Sequence, residues 1–373
     1  MRFRALSSPE KPPITAHPPL RLLELSGTPR ELGRRHGQAL APEIRVLRRA
    51  LLTYLARLSL YGGALPLYSL LVFLARRFWP YIPFPLREEM TGVARGAEVG
   101  LGTILLLNVL DDLANNSPRC SALAAGEKYT GDGSFLLGRN LDYPLFTDVM
   151  VRQQVLFLLE PAQGLPLASL AWPGYVGVCT GMNRAGVALA QLSAMSLDRS
   201  LQGVPAALRF RQALEAGSTI KAAASLLLQT PGTIGNNLLL CSPREAAVLE
   251  LSARQGVIRH PEAGLLLTTN HYQSQVMAPL KGRFPPRPPF SPLSSYHFTE
   301  AYSQTRLSRL EELTAGARLT PGKIQKILAD PGIANPGTVV SAVFSPYAKK
   351  MWVARGARPP VSQGPFQEIS LWG

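Results

Sequence analysis

The hydrophobic pattern of the sequence changes abruptly at Asn115, and this change constrains the fold more than any other feature. Before it, apolar residues recur at helical spacing, and the helices begin with a capping box formed by Thr28 and Glu31. From Cys120 onward, short apolar runs alternate with turn signals such as Gly131-Asp132-Gly133, a pattern typical of strands joined in hairpins. Strand groups that alternate with helical segments over the rest of the chain predict a layered α+β fold.

Composition and charge exclude several classes of protein. The 373 residues are 46% hydrophobic and 17% charged, which fits a folded chain and not a disordered one. The formal net charge of +15 raises nucleic acid and anionic membranes as partners. However, the basic residues are scattered and no run of five like charges occurs, so we expect no nucleic-acid partner.

The cysteines and the hydrophobic segments indicate a cytoplasmic protein. Three cysteines without a CxxC pair are too few for a disulfide framework, so a reducing compartment is the default. Residues 1–20 lack the apolar core of a signal peptide and predict a loose arm. The most hydrophobic stretch, residues 51–78, is interrupted by arginine, glycine and proline and is therefore not expected to span a membrane.

The common metal and nucleotide motifs are absent from the sequence. The five histidines form no HExxH pattern, and no cysteine-rich cluster accompanies them. The sequence also lacks GxxxxGK[ST], GxGxxG after a strand and the GxSxG turn of serine hydrolases. We therefore expect neither a metal nor a cofactor.

Cys120 opens the first predicted strand directly after a polar loop that ends at Arg119. One interpretation is a small buried hydrophobic residue, as for most isolated cysteines and here for Cys179 and Cys241. The other is a nucleophile that becomes the N-terminus when the bond from Arg119 is cleaved, so that its own α-amine acts as the base. An α-amine titrates near 7.7 to 8 and a thiol near 8.5, so this proton transfer costs little at neutral pH.

The segment Gly138-Arg139-Asn140-Leu141-Asp142 lies on the strand predicted to pair with that of Cys120. This pairing brings Arg139 and Asp142 near the cysteine. A guanidinium favours the thiolate, and a carboxylate can orient the α-amine. An ordinary ion pair at the end of a strand is the alternative interpretation.

A cysteine followed after about twenty residues by GRNLDYP resembles the N-terminal-nucleophile (Ntn) amidases that cleave linear amides. These include choloylglycine hydrolases, penicillin V acylases, isopenicillin N acyltransferases, acid ceramidases and N-acylethanolamine amidases. Further blocks match in the same order along the chain: residues 28–37, 172–174, 181–187, 267–272, 303–307, 341–344 and 351–354.

The resemblance implies a four-layer αββα sandwich for residues 120–373, preceded by a helical prosegment at residues 1–119 that stays bound as a small subunit after self-cleavage. It also implies that Cys120 is the self-cleavage residue and the nucleophile, and that Asn270 stabilises the oxyanion. Arg306 matches the late arginine of the family, although a surface charge on a helix is an equal alternative. One departure is that Gln191, Leu192 and Ser193 stand where the bile-salt branch carries a further asparagine.

The implied activity is that of a self-cleaving cysteine amidase or acyltransferase that acts on a linear N-acyl amide through a thioester. The apolar residues 51–78 suggest a lipid-like substrate or peripheral contact with a membrane, with Arg76 and Arg77 meeting phosphates, whereas core packing is the alternative. An uncleaved, inactive binding protein on the same fold is the second functional hypothesis, and a nucleic-acid binder, motivated by net charge alone, is the third. The sequence does not determine the oligomeric state.

Overall fold

The computed structural model describes residues 20–59, 63–114, 120–283 and 299–372. Within these ranges, ten α-helices and fourteen strands are formed. The helices are α1 (Pro29–Ala39), α2 (Ala41–Leu58), α3 (Ala64–Ala75), α4 (Phe84–Gly96), α5 (Leu101–Ala114), α6 (Thr147–Arg152), α7 (Ala206–Ala216), α8 (Ile220–Gln229), α9 (Glu300–Thr314) and α10 (Pro321–Leu328). The expected loose arm at residues 1–20 lies outside the described residues except for Leu20.

The strands of the described chain form two sheets, one of eight strands and one of six. The first sheet contains, in spatial order, β1 (Arg21–Gly27), β4 (Val155–Pro161), β5 (Leu167–Ala171), β6 (Thr180–Asn183), β7 (Ala188–Ser193), β8 (Asn236–Cys241), β9 (Ala246–Leu251) and β10 (Gly256–Arg259). The second contains β11 (Leu265–Thr268), β2 (Ser121–Glu127), β3 (Gly133–Asp142), β12 (Thr338–Ser345), β13 (Lys350–Ala354) and β14 (Phe366–Ser370).

Alternating side chains of the strands build the layers. In β2, Ala122 and Ala124 point between the two sheets, whereas Leu123 and Ala125 pack against helices α9 and α10. In β7, Ala188 points between the sheets and Leu189 faces the helices that cover the first sheet. The order of layers is therefore helices, sheet, sheet, helices, and the predicted αββα sandwich is confirmed.

The N-terminal part of the chain is built into this sandwich. Strand β1 pairs in parallel with β4 and forms an edge of the first sheet, a strand that the helical pattern did not predict. Nε2 of the buried His36 accepts a hydrogen bond of 2.8 Å from the backbone N–H of Gly174. Burial lowers the pKa of His36 to about 3, so the ring stays neutral at this contact.

Helices α1 and α4 cross at unusually close range because glycines line both of them. A Cβ atom at Gly33 would lie 1.9 Å from the Glu89 carbonyl oxygen, and one at Gly96 would lie 2.2 Å from the Arg34 carbonyl oxygen. Both contacts are with backbone atoms, which cannot move aside as a flexible side chain can. Side chains at these positions would therefore force the two helices apart.

We expect Gly33→Ala to lower the free energy of unfolding by about 3 kcal/mol or more, because the helices must separate and lose packed contacts. Urea denaturation followed by circular dichroism measures this change. Gly100→Ala is the matched control, since a Cβ at Gly100 meets no atom within 4 Å. Equal stability of the two variants would contradict the close packing of α1 on α4.

Candidate active site

The site is assembled at the end of the β2–β3 hairpin. The two strands pair antiparallel, with Ser121 opposite Asn140 and Ala122 opposite Arg139, which confirms the predicted pairing. Cys120 precedes β2 and is fully buried between the two sheets. The bond from Arg119 and the polar loop at residues 115–119 lie outside the described residues.

The backbone nitrogen of Cys120 is held by Asn270, which follows β11. This N–H donates to the Asn270 Oδ1 atom at 2.7 Å. Nδ2 of Asn270 donates in turn to the Ser193 carbonyl of β7 at 2.8 Å. The carboxamide oxygen, and not the N–H group, therefore faces Cys120, so the oxyanion role implied for Asn270 stays a prediction.

Arg306 lies at the centre of the cluster on α9 and is fully buried, unlike the surface charge considered as its alternative. Nη1 donates to the Cys120 carbonyl oxygen at 2.7 Å and to Ser121 Oγ at 2.8 Å. Nη2 donates to Asn270 Oδ1 at 2.8 Å, and Nη1 lies 3.7 Å from Asp142 Oδ2. One guanidinium thus joins four groups from three separate segments of the sequence.

Asp142 is buried at the end of β3 and accepts two short hydrogen bonds. Asn335 Nδ2 donates to its Oδ2 at 2.6 Å, and Thr338 Oγ1 donates to its Oδ1 at 2.7 Å. Burial raises the pKa of Asp142 to about 6, although Arg306 and both donors oppose this rise. Sequence reasoning missed Asn335 and Thr338. Thr338 lies opposite Asp142 because of the register of β12 on β3, which local sequence patterns do not give.

Arg139 is buried between the sheets and links the hairpin to the first sheet. Its guanidinium donates to the carbonyl oxygens of Cys179 at 3.0 Å and Gln191 at 2.9 Å, and to the Thr180 hydroxyl. Burial raises the pKa of the Cys120 thiol, whereas the positive charge of Arg139 lowers it. The nearby backbone N–H of Asp142 also lowers the pKa of the thiol, whereas the Asp142 carboxylate raises it.

A cavity opens beside this cluster, between the first sheet and helices α2, α5, α6 and α7. Its walls are largely apolar and include Leu51, Met150 and Phe210. It meets the cluster at Gln191 and Ser193, whose carbonyls receive the hydrogen bonds of Arg139 and Asn270. Because α2 and α5 belong to residues 1–119, the N-terminal part of the chain supplies one wall of the cavity.

Taken together, the five residues predicted from the sequence meet in one buried cluster, although they span 186 positions of the chain. An αββα sandwich with a cysteine at the start of a central strand is the architecture of the Ntn hydrolases. A family model described as acyl-coenzyme A:6-aminopenicillanic acid acyl-transferase matches residues 129–359, more than half of the chain. The chain therefore belongs to this family. The match contains Arg139, Asp142, Asn270 and Arg306, and it begins after Cys120.

Two relatives share sequence with the chain. An uncharacterized protein of Archaeoglobus fulgidus is 26% identical over 270 residues, which cover 64% of this chain and 45% of that protein. Acid ceramidase of Bos taurus is 26% identical over 134 residues, or 33% of this chain and 32% of the ceramidase. The matched segments thus span less than half the length of either relative.

Solved structures of similar proteins include three amide hydrolases. An N-acylethanolamine-hydrolyzing acid amidase ortholog of Caenorhabditis elegans is 15% identical, with a TM-score of 0.46 over 61% of this chain and 93% of that chain. A mutant conjugated bile acid hydrolase of Clostridium perfringens is 12% identical, with a TM-score of 0.46 over 67% and 92% of the two chains. Penicillin V acylase of Agrobacterium tumefaciens is 15% identical, with a TM-score of 0.43 over 68% and 92%.

Proposed function

We propose that the protein is a self-activating cysteine amidase or acyltransferase of linear N-acyl amides, with Cys120 as nucleophile. The observation that carries this proposal is the set of bonds around the Cys120 backbone. Asn270 holds its nitrogen at 2.7 Å, and Arg306 holds its carbonyl oxygen at 2.7 Å. In an N-terminal nucleophile, these contacts would hold in place the α-amine that acts as the base.

Activation proceeds by attack of the Cys120 thiol on the carbonyl carbon of Arg119. A bond from Sγ to this carbon forms, the peptide C–N bond breaks and the thiol proton passes to the departing nitrogen, which gives a thioester and a free α-amine at Cys120. Water then hydrolyses the thioester and releases the thiol. We propose that residues 1–119 stay bound afterwards as a small subunit, in support of which β1 and His36 are integrated into the sandwich.

In the amidase reaction, the α-amine takes the thiol proton while Sγ attacks the carbonyl carbon of the substrate amide. The C–N bond breaks, the proton passes to the leaving amine, and a thioester to Cys120 remains. Water or a second amine then attacks the thioester and restores the thiol. The apolar cavity, in contact with the cluster at Gln191 and Ser193, suits an apolar acyl group.

A panel of N-acyl amides with acyl chains of two to sixteen carbons tests this activity. We expect the second-order rate constant kcat/KM to rise with chain length, because each buried CH₂ contributes about 0.8 kcal/mol until the cavity is filled. Acid quenching during turnover followed by mass spectrometry should show one acyl group on the fragment that begins with Cys120. The absence of hydrolysis and of acylation across the panel would support the inactive binding protein instead.

We also propose that α3 contacts an anionic lipid surface. Residues 44–87 contain seven arginines and no acidic residue. On α3, Leu70 and Phe73 are 51% and 59% exposed, and Arg76 and Arg77 at its end are exposed as well. Exposed apolar side chains next to exposed positive charge suit the interface of an anionic bilayer. No helix in the described part of the chain is both long and apolar enough to traverse a bilayer.

We expect Leu70→Asp combined with Phe73→Asp to lower binding to phosphatidylglycerol-containing vesicles at least about tenfold, because two apolar side chains that would enter the bilayer are replaced by charges that it repels. Co-sedimentation with vesicles measures the bound fraction. Val276→Asp is the matched control, since Val276 is 65% exposed and lies elsewhere in the sequence. Binding that is equal in both variants, or that persists on neutral vesicles, would contradict docking through α3.

A further inference from the structure

The polar groups of the active-site cavity are gathered beside the Cys120 cluster, and one of them has no counter-charge among the described residues. This group is the carboxylate of Asp111 on α5. Tyr143, Tyr175 and Cys179 line the cavity with it. The Tyr143 hydroxyl donates to Asp111 Oδ1 at 3.0 Å. In the described ranges of the chain, no lysine, arginine or histidine forms an ion pair with Asp111.

The neighbouring Asp112 shows what a structural carboxylate looks like in the same helix. It accepts hydrogen bonds from the backbone N–H of Ala206 at 2.9 Å and from the Thr233 hydroxyl, and so fixes the start of α7. Asp111 fixes no backbone group of the described chain in this way; its contact with Tyr143 joins two cavity-lining side chains. Its position is therefore better explained by a ligand in the cavity than by the fold.

An ionised carboxylate that is shielded from water and has no counter-charge costs free energy. Burial, with a smaller contribution from the nearby Asp112, raises the pKa of Asp111 to about 7 against the opposing effect of the Tyr143 hydrogen bond. A positively charged ligand group would relieve this cost, because it supplies the counter-charge that the described residues do not. At pH 8 the carboxyl is mostly ionised and able to form such a pair.

The position of Asp111 relative to the nucleophile limits where the charge sits on the ligand. Tyr143, its hydrogen-bond partner, directly follows Asp142, whose backbone N–H lies near the Cys120 thiol and lowers its pKa. Cys179, which lines the same end of the cavity, accepts a hydrogen bond from Arg139 through its carbonyl oxygen. A cation at Asp111 therefore lies near the reacting amide and not at the far end of an acyl chain.

We propose that Asp111 and Tyr143 form a recognition site for an ammonium group carried by the substrate within a few bonds of the scissile amide. This inference rests on the proposed function, since it names the substrate class of the same cavity. The ammonium group can belong to the amine half, as in a monoacylated diamine, or to the acyl half, as in an aminoacyl amide. The shared chemistry is a primary ammonium beside an apolar chain.

The test compares kcat/KM at pH 8 for N-dodecanoyl-1,3-diaminopropane and for its neutral isostere N-dodecanoyl-butylamine. A second pair places the amine on the acyl half and compares the butylamide of 2-aminododecanoic acid with the same N-dodecanoyl-butylamine. In wild type we expect at least a tenfold preference for the ammonium member of one pair, and we expect Asp111→Asn to bring that ratio close to one. Asp148→Asn, an exposed carboxylate on α6, should keep the wild-type ratio.

Calorimetric titration of the same ligands into Cys120→Ala measures the affinities of the ammonium and neutral ligands without turnover. Preferential binding of an ammonium ligand, lost in the Cys120→Ala/Asp111→Asn double variant, would support the site even if no amide were hydrolysed, in which case only the proposed function would fail. Hydrolysis of neutral and ammonium amides at equal rates, or a preference that survives Asp111→Asn, would overturn the recognition site and leave the amidase function intact. Equal binding of both ligands to Cys120→Ala would overturn it as well.

Discussion

Cys120→Ala is expected to lower the turnover of acyl amides by at least about 10⁴-fold, because no other group in the cluster can form the thioester. The substitution removes a single sulfur atom from a fully buried position. It leaves the backbone contacts to Asn270 and Arg306 available, so the fold should persist. Initial rates with the best substrate of the acyl panel, measured on protein with an unchanged thermal transition, test this expectation.

Cys241→Ala is the matched control for this prediction. Cys241 is also buried between the two sheets, and its burial raises the thiol pKa well above the ordinary value, so it stays a neutral hydrophobic group. We expect this variant to keep its turnover within a few-fold of wild type. Activity that survives Cys120→Ala would assign the chemistry to another residue.

Arg306→Met is expected to have the second-largest effect, a loss of about 3 to 5 kcal/mol in the free energy of unfolding together with loss of amidase activity. Methionine fills much of the same volume but leaves the Cys120 carbonyl, Asn270 Oδ1 and the Asp142 carboxylate without a shared donor. The buried Asp142 would also lose the cation that most strongly lowers its pKa. Urea denaturation and initial rates measure the two effects.

Arg309→Met separates this central role from the general loss of an arginine on α9. Arg309 lies on the same helix, is 40% exposed and pairs with Asp330 and Glu312. Exposed ion pairs of this kind contribute about 1 kcal/mol or less, so we expect a small loss of stability and normal activity. If Arg306→Met proved as mild as Arg309→Met, the buried guanidinium would not hold the cluster together.

Local patterns in the sequence were sufficient for most of the fold. The β2–β3 hairpin follows from two apolar runs around Gly131-Asp132-Gly133, and helices α7, α8 and α10 follow from their periodicity. The apolar run at residues 151–159 predicts a single strand, which is partly wrong, because its first residues belong to α6 and β4 begins only at Val155. Strand β1 was missed because its parallel partner lies more than a hundred residues away, where no local pattern connects the two.

The sequence predicted which candidate residues would cluster, but not the geometry of the cluster. Cys120, Arg139 and Asp142 follow from one hairpin, whereas Asn270 and Arg306 were assigned by family resemblance alone. The Asn270 carboxamide turns its oxygen toward Cys120 because of its contacts with Ser193 and Arg306. These contacts depend on tertiary packing. The same holds for Asp111, which is an ordinary acidic residue in the sequence and becomes distinctive only because the folded chain places it in a cavity.

The most direct test of the central claim is the intact mass of the purified protein under denaturing conditions. Cleavage before Cys120 divides the 40.4 kDa chain into pieces of about 13 and 28 kDa, in proportion to residues 1–119 and 120–373. The account predicts both masses in wild type, a larger piece that begins with a free Cys120 amine, and a single uncleaved mass in Cys120→Ala. A single uncleaved mass in wild type that nevertheless hydrolyses acyl amides would contradict it, because Cys120 would then lack the α-amine that serves as its base.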